Sequence, residues 1–185
     1  MKRSDSKKFN GRVIMDQVAI DGAIGRIAEE IVKSYRDDDM IALVGIRTGG
    51  IHLAQRLLAV IQEQCVHEVL LGTLDINLYR DDLVGRFNQP VLRTTDIPFD
   101  VANRNIILVD DVLFTGRTIR AAMDGVIDLG RPARIQLAIL VDRGHRELPI
   151  AADFIGQSLV TKKSEMVKVC LHEEGHPADA VVLSS

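Results

Sequence analysis

Hydrophobic positions along the chain switch between two periods. Ile20, Ile24, Ile27, Ala28, Ile31, Val32 and Tyr35 recur at three- and four-residue steps, which predicts an amphipathic helix with Asp16 as a candidate N-cap. Gly22 and Gly25 fall inside it, each costing about 1 kcal/mol, and leave its start open. After the acidic break Asp37-Asp38-Asp39, the run 40–46 (MIALVGI) predicts a strand buried on both faces, and Arg47-Thr48-Gly49-Gly50 predicts a turn. Leu53, Ala54, Leu57, Leu58 and Ile61 line one face of a second helix, and 69–78 reads as another strand. From 81 to 104 the pattern lapses, with Pro90 and Pro98 inside it, although 97–101 alternates as a short ribbon would. A stretch of that length in a compact domain is commonly a functional lid or disordered. Residues 106–109 predict a buried strand and 110–118 a polar turn. Ile119, Ala122, Met123, Val126 and Leu129 then make a third helix, stopped by Gly130 and Pro132. Residues 135–141 form a further strand, with short strands at 154–155 and 166–171. Strand and helix alternate, so the expected fold class is α/β, a mainly parallel sheet flanked by helices.

Composition narrows the function classes. With 185 residues, 46% hydrophobic and 26% charged, the chain reads as one domain that buries a core without disulfides or structural metal. The balance of 23 Lys plus Arg against 26 Asp plus Glu gives −3, which makes no electrostatic case for nucleic acid or membrane as main partner. Aromatics are 4% with no Trp, which argues against a base-stacking platform. No apolar run approaches the roughly 20 residues that span a bilayer. The first ten residues are polar and basic, unlike a signal peptide, so a cytoplasmic location is expected. Cys65 and Cys170 are too few and too far apart for a disulfide framework or a zinc site, and read as small buried hydrophobes.

Candidate chemistry concentrates in VDDVLFTGRT, residues 109–118. It runs from a buried strand, through a turn, into the start of a helix. Ligands of open α/β sheets sit outside the carboxyl ends of the strands, where Asp110 and Asp111 fall. The turn adds two hydroxyls, a glycine and an arginine, at a helix N-terminus whose free N–H groups and dipole favour an anion. Acids upstream suit a diol or a cation, and donors downstream suit a phosphate; a phosphorylated sugar has both. A plainer reading has Asp110 and Asp111 capping a loop and Thr118 capping the helix.

The same string resembles the phosphoribosyl pyrophosphate (PRPP) signature of type I phosphoribosyltransferases. DINLYRDDL at 75–83, MDGVIDLGRP at 123–132 and LVDRGHRELPIAADFIG at 140–156 narrow the resemblance to the bifunctional pyrimidine operon attenuator/uracil phosphoribosyltransferase (PyrR) family, in order from about residue 16 to 166. The resemblance implies a type I core as a single domain over 1–185, with a flexible lid at about 80–104 and a small C-terminal hood at about 142–175. It implies that uracil and PRPP give uridine monophosphate (UMP) and pyrophosphate, through a transition state similar to an oxocarbenium ion that needs positioning and charge stabilisation rather than a nucleophile. Asp110 and Asp111 would face the ribose hydroxyls directly or through Mg²⁺. Val112, Leu113, Thr115, Gly116, Arg117 and Thr118 would hold the 5-phosphate end of PRPP, and Arg47, Thr48 and Gly49 its pyrophosphate. Arg80 would reach the leaving pyrophosphate from the lid, and lid closure would exclude water. Arg143, with Asp142 in support, would orient the base side, and the segment 157–162, with Leu159 and Val160, would recognise the base; the family pattern has proline where this chain has Val160. Taken alone, Arg47–Gly50 is only a turn, Arg80 a solvated arginine beside Asp81 and Asp82, and Arg143 a structural ion pair.

The family's second role is binding pyrimidine operon leader RNA. Arg26, His145 and Arg146 are the candidates for it, and the basic arm of Lys2, Arg3, Lys7 and Lys8 adds charge. The first helix, however, carries Asp21, Gly22, Gly25 and Glu29, so catalysis is better supported than attenuation. The alternatives are an RNA-binding attenuator with weak catalysis, or transfer to another base, for which Phe154 is the candidate stacking aromatic. His52 and His67 are isolated; His172 and His176 have i, i+4 spacing but lack a third zinc ligand in the pattern. Relatives associate as dimers or larger homo-oligomers, which the resemblance extends to this chain, and no membrane partner is expected.

Overall fold

Five parallel strands carry the molecule, and their side chains divide the core in two. In the computed structural model, which describes residues 9–36, 39–64, 68–76 and 95–185, the elements run β1 (Arg12–Asp16), α1 (Gln17–Ser34), β2 (Ile41–Ile46), α2 (Gly49–Gln64), β3 (Leu70–Leu74) and β4 (Asn105–Leu113). They continue with α3 (Arg117–Leu129), β5 (Arg134–Asp142), β6 (Phe154–Ser158), β7 (Met166–Cys170), a 3-10 turn (His172–Glu174) and β8 (Ala180–Ser184). The main sheet has the order β3-β2-β4-β5-β6, all parallel. Every residue of β2 is buried, as the unbroken apolar run predicts. The strand period of two sends Leu43, Ile107, Val109, Ala138 and Leu140 to the face covered by α1 and α2. Val44, Ile106, Leu108, Leu137 and Ile139 go to the face covered by α3. The expected α/β class with helices flanking a parallel sheet is what the structure has.

The first helix begins at Gln17, and the Asp16 carboxylate accepts from the Ala19 N–H at 3.0 Å, as an N-cap should. Gly22 and Gly25 stay inside it on the open side, where an added Cβ would meet nothing within 4 Å. Gly130 closes α3, its N–H donating to Ile127 O at 3.2 Å.

Four expectations change. β4 does not stop at Val109 but pairs with β5 as far as Leu113 and Asp142, so Asp110 and Asp111 lie on the strand and not in a turn. The turn after β2 is shorter than 47–50, because α2 already starts at Gly49. Residues 97–101 form no ribbon: a single bridge joins Thr73 and Asp96, and Ile97, Phe99 and Val101 pack onto the core beside β3. The described end of the expected lid is thus seated on the sheet edge; its remainder lies outside the described residues, as do Cys65, His67 and the basic arm. Finally, β1 and β8 were not foreseen. They pair antiparallel with each other, β8 pairs with β7, and this three-stranded sheet lays Val167, Val169, Val181 and Leu183 against the α1–α2 side of the core.

Candidate active site

Four neighbouring strands, β2, β4, β5 and β6, end on one edge of the sheet, and most of the described candidate residues lie at the end of β4, in the loops that leave these strands, or in the first turns of α2 and α3. Val112 to Ile119 line one cleft of about 380 Å³, which includes Val112, Leu113, Thr115, Gly116, Arg117 and Thr118. Gly116 is the N-cap of α3 with φ of 91°, a backbone region that disfavours side chains, and it has no side chain to cap the helix; the Thr115 hydroxyl, one residue earlier, accepts from the Arg117 N–H at 3.4 Å. Thr118 therefore sits within the first turn and does not cap it, contrary to the plainer reading. The N–H groups of the first turn and the helix dipole make this end of α3 suited to an anion. Behind the turn, Thr115 O accepts from the N–H groups of Glu147 (2.9 Å) and Leu148 (3.2 Å), which fixes its depth.

Asp110 is buried, and its Oδ1 accepts from the Asp111 N–H at 3.0 Å. The Asp111 carboxylate accepts from the Val112 N–H at 2.7 Å and lies against Gly49, where a Cβ would stand 2.9 Å from Asp111 Oδ2. Gly50 is tighter still, since a Cβ would come within 2.2 Å of Val109 O. The paired glycines are what let the loop after β2 press onto the acidic end of β4. Burial pushes the Asp111 carboxyl above the usual range, a shift that the Val112 hydrogen bond opposes and the Glu174 charge reinforces. Arg47 follows β2 with its N–H on Leu74 O at 3.0 Å, and the Arg47–Thr48 peptide is cis. Its buried Nε has no hydrogen-bond partner among the described residues. A buried guanidinium N–H left in that state is costly and suits an incoming anion.

On the base side, Arg143 is only 5% exposed and stacks its guanidinium 4.2 Å from the centroid of the Phe114 ring. Its Nη2 donates to Lys162 O at 2.9 Å, and its buried Nε is likewise without a partner among the described residues. Asp142 does not support Arg143 as expected: it takes Arg146 Nη2 at 2.6 Å and the Gly144 N–H at 2.9 Å. The expected base segment is stitched to this loop by Leu159 N–H to Asp142 O (2.7 Å) and Thr161 Oγ1 to Arg143 O (3.2 Å). Val160 beside Leu159 is fully exposed. Phe154 is buried in the main core and presents no stacking face, so the aromatic beside the cleft is Phe114, inside the stretch whose polar residues predict a turn and to which the sequence assigns no role.

Of the RNA candidates, Arg146 donates to the carbonyl oxygens of Leu113, Phe114, Gly144 and Ile150 and to Asp142, and so braces the cleft from beneath. His145 Nε2 lies 2.7 Å from Thr161 O. Arg26 donates to Gly156 O at 2.6 Å and Gly22 O at 3.2 Å. Arg117, at the start of α3, pairs with Glu147 at 2.9 Å. Arg80 lies outside the described residues.

Comparison with known proteins agrees with this arrangement. A family model described as a phosphoribosyl transferase domain matches residues 14–174. Bifunctional protein PyrR of Syntrophobacter fumaroxidans is 53% identical over 163 residues, covering 88% of each chain. Bifunctional protein PyrR of Deinococcus deserti is 57% identical over 151 residues, 82% of each. Among solved structures, a hypoxanthine phosphoribosyltransferase from Staphylococcus aureus superposes with a TM-score of 0.71 at 15% identity, over 98% of this chain and 96% of that one. That level of identity speaks for the fold alone. With the family model spanning nearly the whole chain and the PyrR relatives above half identical, the chain belongs to the type I phosphoribosyltransferases, within the bifunctional PyrR family.

Proposed function

We propose that the chain transfers the phosphoribosyl group of PRPP to uracil, releasing UMP and pyrophosphate. The observation that carries the reading is the continuity of β4 into α3: two carboxylates at the strand end, with Gly49 against Asp111, then a glycine-capped helix N-terminus that opens on a cleft. The α3 N-terminus would hold the 5-phosphate, Asp110 and Asp111 the ribose hydroxyls, and Arg47 the pyrophosphate. The C1′–oxygen bond to pyrophosphate breaks, the uracil N1–C1′ bond forms, and the N1 proton leaves. Positive charge on the ribose is stabilised by the adjacent carboxylates, and the negative charge of the departing group by Arg47 and the loop N–H groups. On the base side, backbone groups of 159–161 and the Arg143–Phe114 stack would fix the pyrimidine plane. Arg80 would reach over the leaving group; it and the hood and lid assignments remain part of this proposal.

A divalent cation fits the donor set. Mg²⁺ takes one or two carboxylates plus substrate phosphates, and Asp111, whose ionised form is penalised by burial, gains most from a neighbouring cation. Bound there with Asp110 at its side, Mg²⁺ would neutralise the pyrophosphate as it leaves. No helix among the described residues is long and apolar enough to cross a membrane.

The family's other activity, binding of pyrimidine operon leader RNA, comes with membership, and assembly into a homodimer or larger oligomer is proposed on the same ground. His145 meets the ring of Phe114 edge-on and Arg146 holds the carbonyl oxygens of Leu113 and Phe114, both cleft residues, so UMP in the cleft would bear on them through that turn. Incubation with PRPP, Mg²⁺ and each base in turn tests the main reading. Uracil should give UMP, with hypoxanthine, guanine and orotate at least 100-fold slower; a purine or orotate preference would refute the base assignment. Leader RNA added to the same preparation with and without UMP reads the second activity.

A further inference from the structure

The densest polar cluster outside the cleft, among the described residues, is centred on Arg56 of α2. Its Nε and Nη2 donate to the two carboxylate oxygens of Glu173 at 2.8 and 2.7 Å, a bidentate fork. Its Nη1 donates to Asp179 at 2.5 Å, and Nη2 lies 3.1 Å from His172 Nδ1. Asp179 is 5% exposed and its other oxygen accepts the His172 N–H at 2.8 Å, which closes the loop between β7 and β8. His172, Glu173 and Asp179 have the spacing of a metal triad, but the guanidinium already occupies the space between their oxygens. The cluster is therefore an ion network and not a cation site. Nothing in phosphoribosyl transfer as derived above uses it.

Its position gives it a consequence for the cleft. Arg56 stands two turns along the helix that begins at Gly49, and Gly49 forms one wall against the Asp111 carboxylate. The loop it clasps carries Glu174, whose charge bears on Asp111 from another side, and β7, which leads into that loop, packs against β4. We propose that Arg56 is a positioning residue for PRPP binding: by clasping the 172–179 loop to α2, it ties the segment that carries Glu174 to the helix whose first residue lies against the Asp111 carboxylate. The inference rests on the assignment of PRPP to this cleft. The start of α2 is held on β4 by the close packing of Gly49 and Gly50, so without the clasp it is the 172–179 loop that loosens, and the Glu174 charge that acts on Asp111 loses its fixed place. Such a residue changes substrate affinity without touching substrate, and a displacement of about 1 Å at a positioned group is enough to matter.

Equilibrium binding of Mg·PRPP to the full chain, without any base, tests it by calorimetry, alongside kcat and the KM for uracil. Arg56→Gln should weaken PRPP binding about tenfold and Arg56→Lys, which keeps the charge on a single donor nitrogen but loses the planar fork, by less, while the KM for uracil stays unchanged. Glu173→Gln, at a side chain one-quarter exposed, should fall between wild type and Arg56→Gln, and decides the matter should Arg56→Gln not fold. Wild-type PRPP affinity in both Arg56→Gln and Glu173→Gln would overturn the proposal. So would a reduced active fraction at unchanged affinity, or equal losses for PRPP and uracil, since either is what loosening of the whole fold produces. Wild-type protein that binds PRPP but does not use uracil refutes the base assignment and leaves this comparison decisive; wild-type protein that does not bind PRPP overturns both.

Discussion

At the residue scale, Asp111 shows how the site sets stability against function. Its carboxyl is pushed up first of all by burial, so the native state disfavours the ionised form that a ribose or cation needs. A folded value above the unfolded one means that stability is fullest below the unfolded value of 3.8 and falls as pH rises through the folded value. Asp111→Asn removes that dependence. The variant should therefore melt at or above the wild-type temperature at neutral pH, with the difference growing from pH 4 upward. A variant that melts lower at every pH would show instead that the carboxylate holds the strand end together through its bond from Val112.

At the element scale, the apolar runs of β2, β4 and β5 were plain in the sequence because a strand buried on both faces has few polar positions to obscure it. The end of β4 was hidden for the opposite reason: Asp110 and Asp111 are polar residues on a strand, and polarity reads as a turn. What reveals the strand is its pairing with β5, which a single sequence does not display. The short β1 and β8 escaped on the same ground, since each is defined by its partner at the far end of the chain. Helix α1 was legible from its period and its Asp16 cap, yet not the tie at its C-terminal end. There Tyr35 OH donates to Gln136 Oε1, Gln136 Nε2 donates to Asp153 at 3.0 Å, and Asp153 accepts the Leu137 N–H at 2.8 Å. Burial pushes the Tyr35 phenol from 10.0 to about 12. The unfolded phenol ionises first, so stability from this tie should be complete below pH 10 and be lost as pH rises toward 12. Phenolate absorbance, compared with Tyr35→Phe, checks it: a tyrosine titrating near 10 in the folded protein would mean that the chain of bonds is open in solution.

At the scale of the whole molecule, one edge of the parallel sheet collects what the sequence scatters over more than a hundred residues. The order β3-β2-β4-β5-β6 sets the loops of β2, β4, β5 and β6 side by side, so residues near 47, 111, 143 and 159 become neighbours. The order of residues along the chain foretold the glycine-bearing turn into α3, which is local, but not the Phe114–Arg143 stack or the Arg56 clasp, which join distant loops. The same sheet serves a hypoxanthine phosphoribosyltransferase at 15% identity, so the scaffold alone does not choose the base. The second sheet, which ties β1 to β8 and leads into the loop held by Arg56, links the far ends of the chain to the acidic end of β4. The account as a whole depends on phosphoribosyl transfer taking place over those carboxylates. The most direct measurement is the rate of UMP and pyrophosphate formation from uracil, PRPP and Mg²⁺ by wild-type protein and by folded Asp111→Asn. Equal amounts of the two products from wild type, with a loss of about 100-fold or more in the variant, is the predicted result. No UMP from wild type, or an undiminished rate in Asp111→Asn, would contradict it.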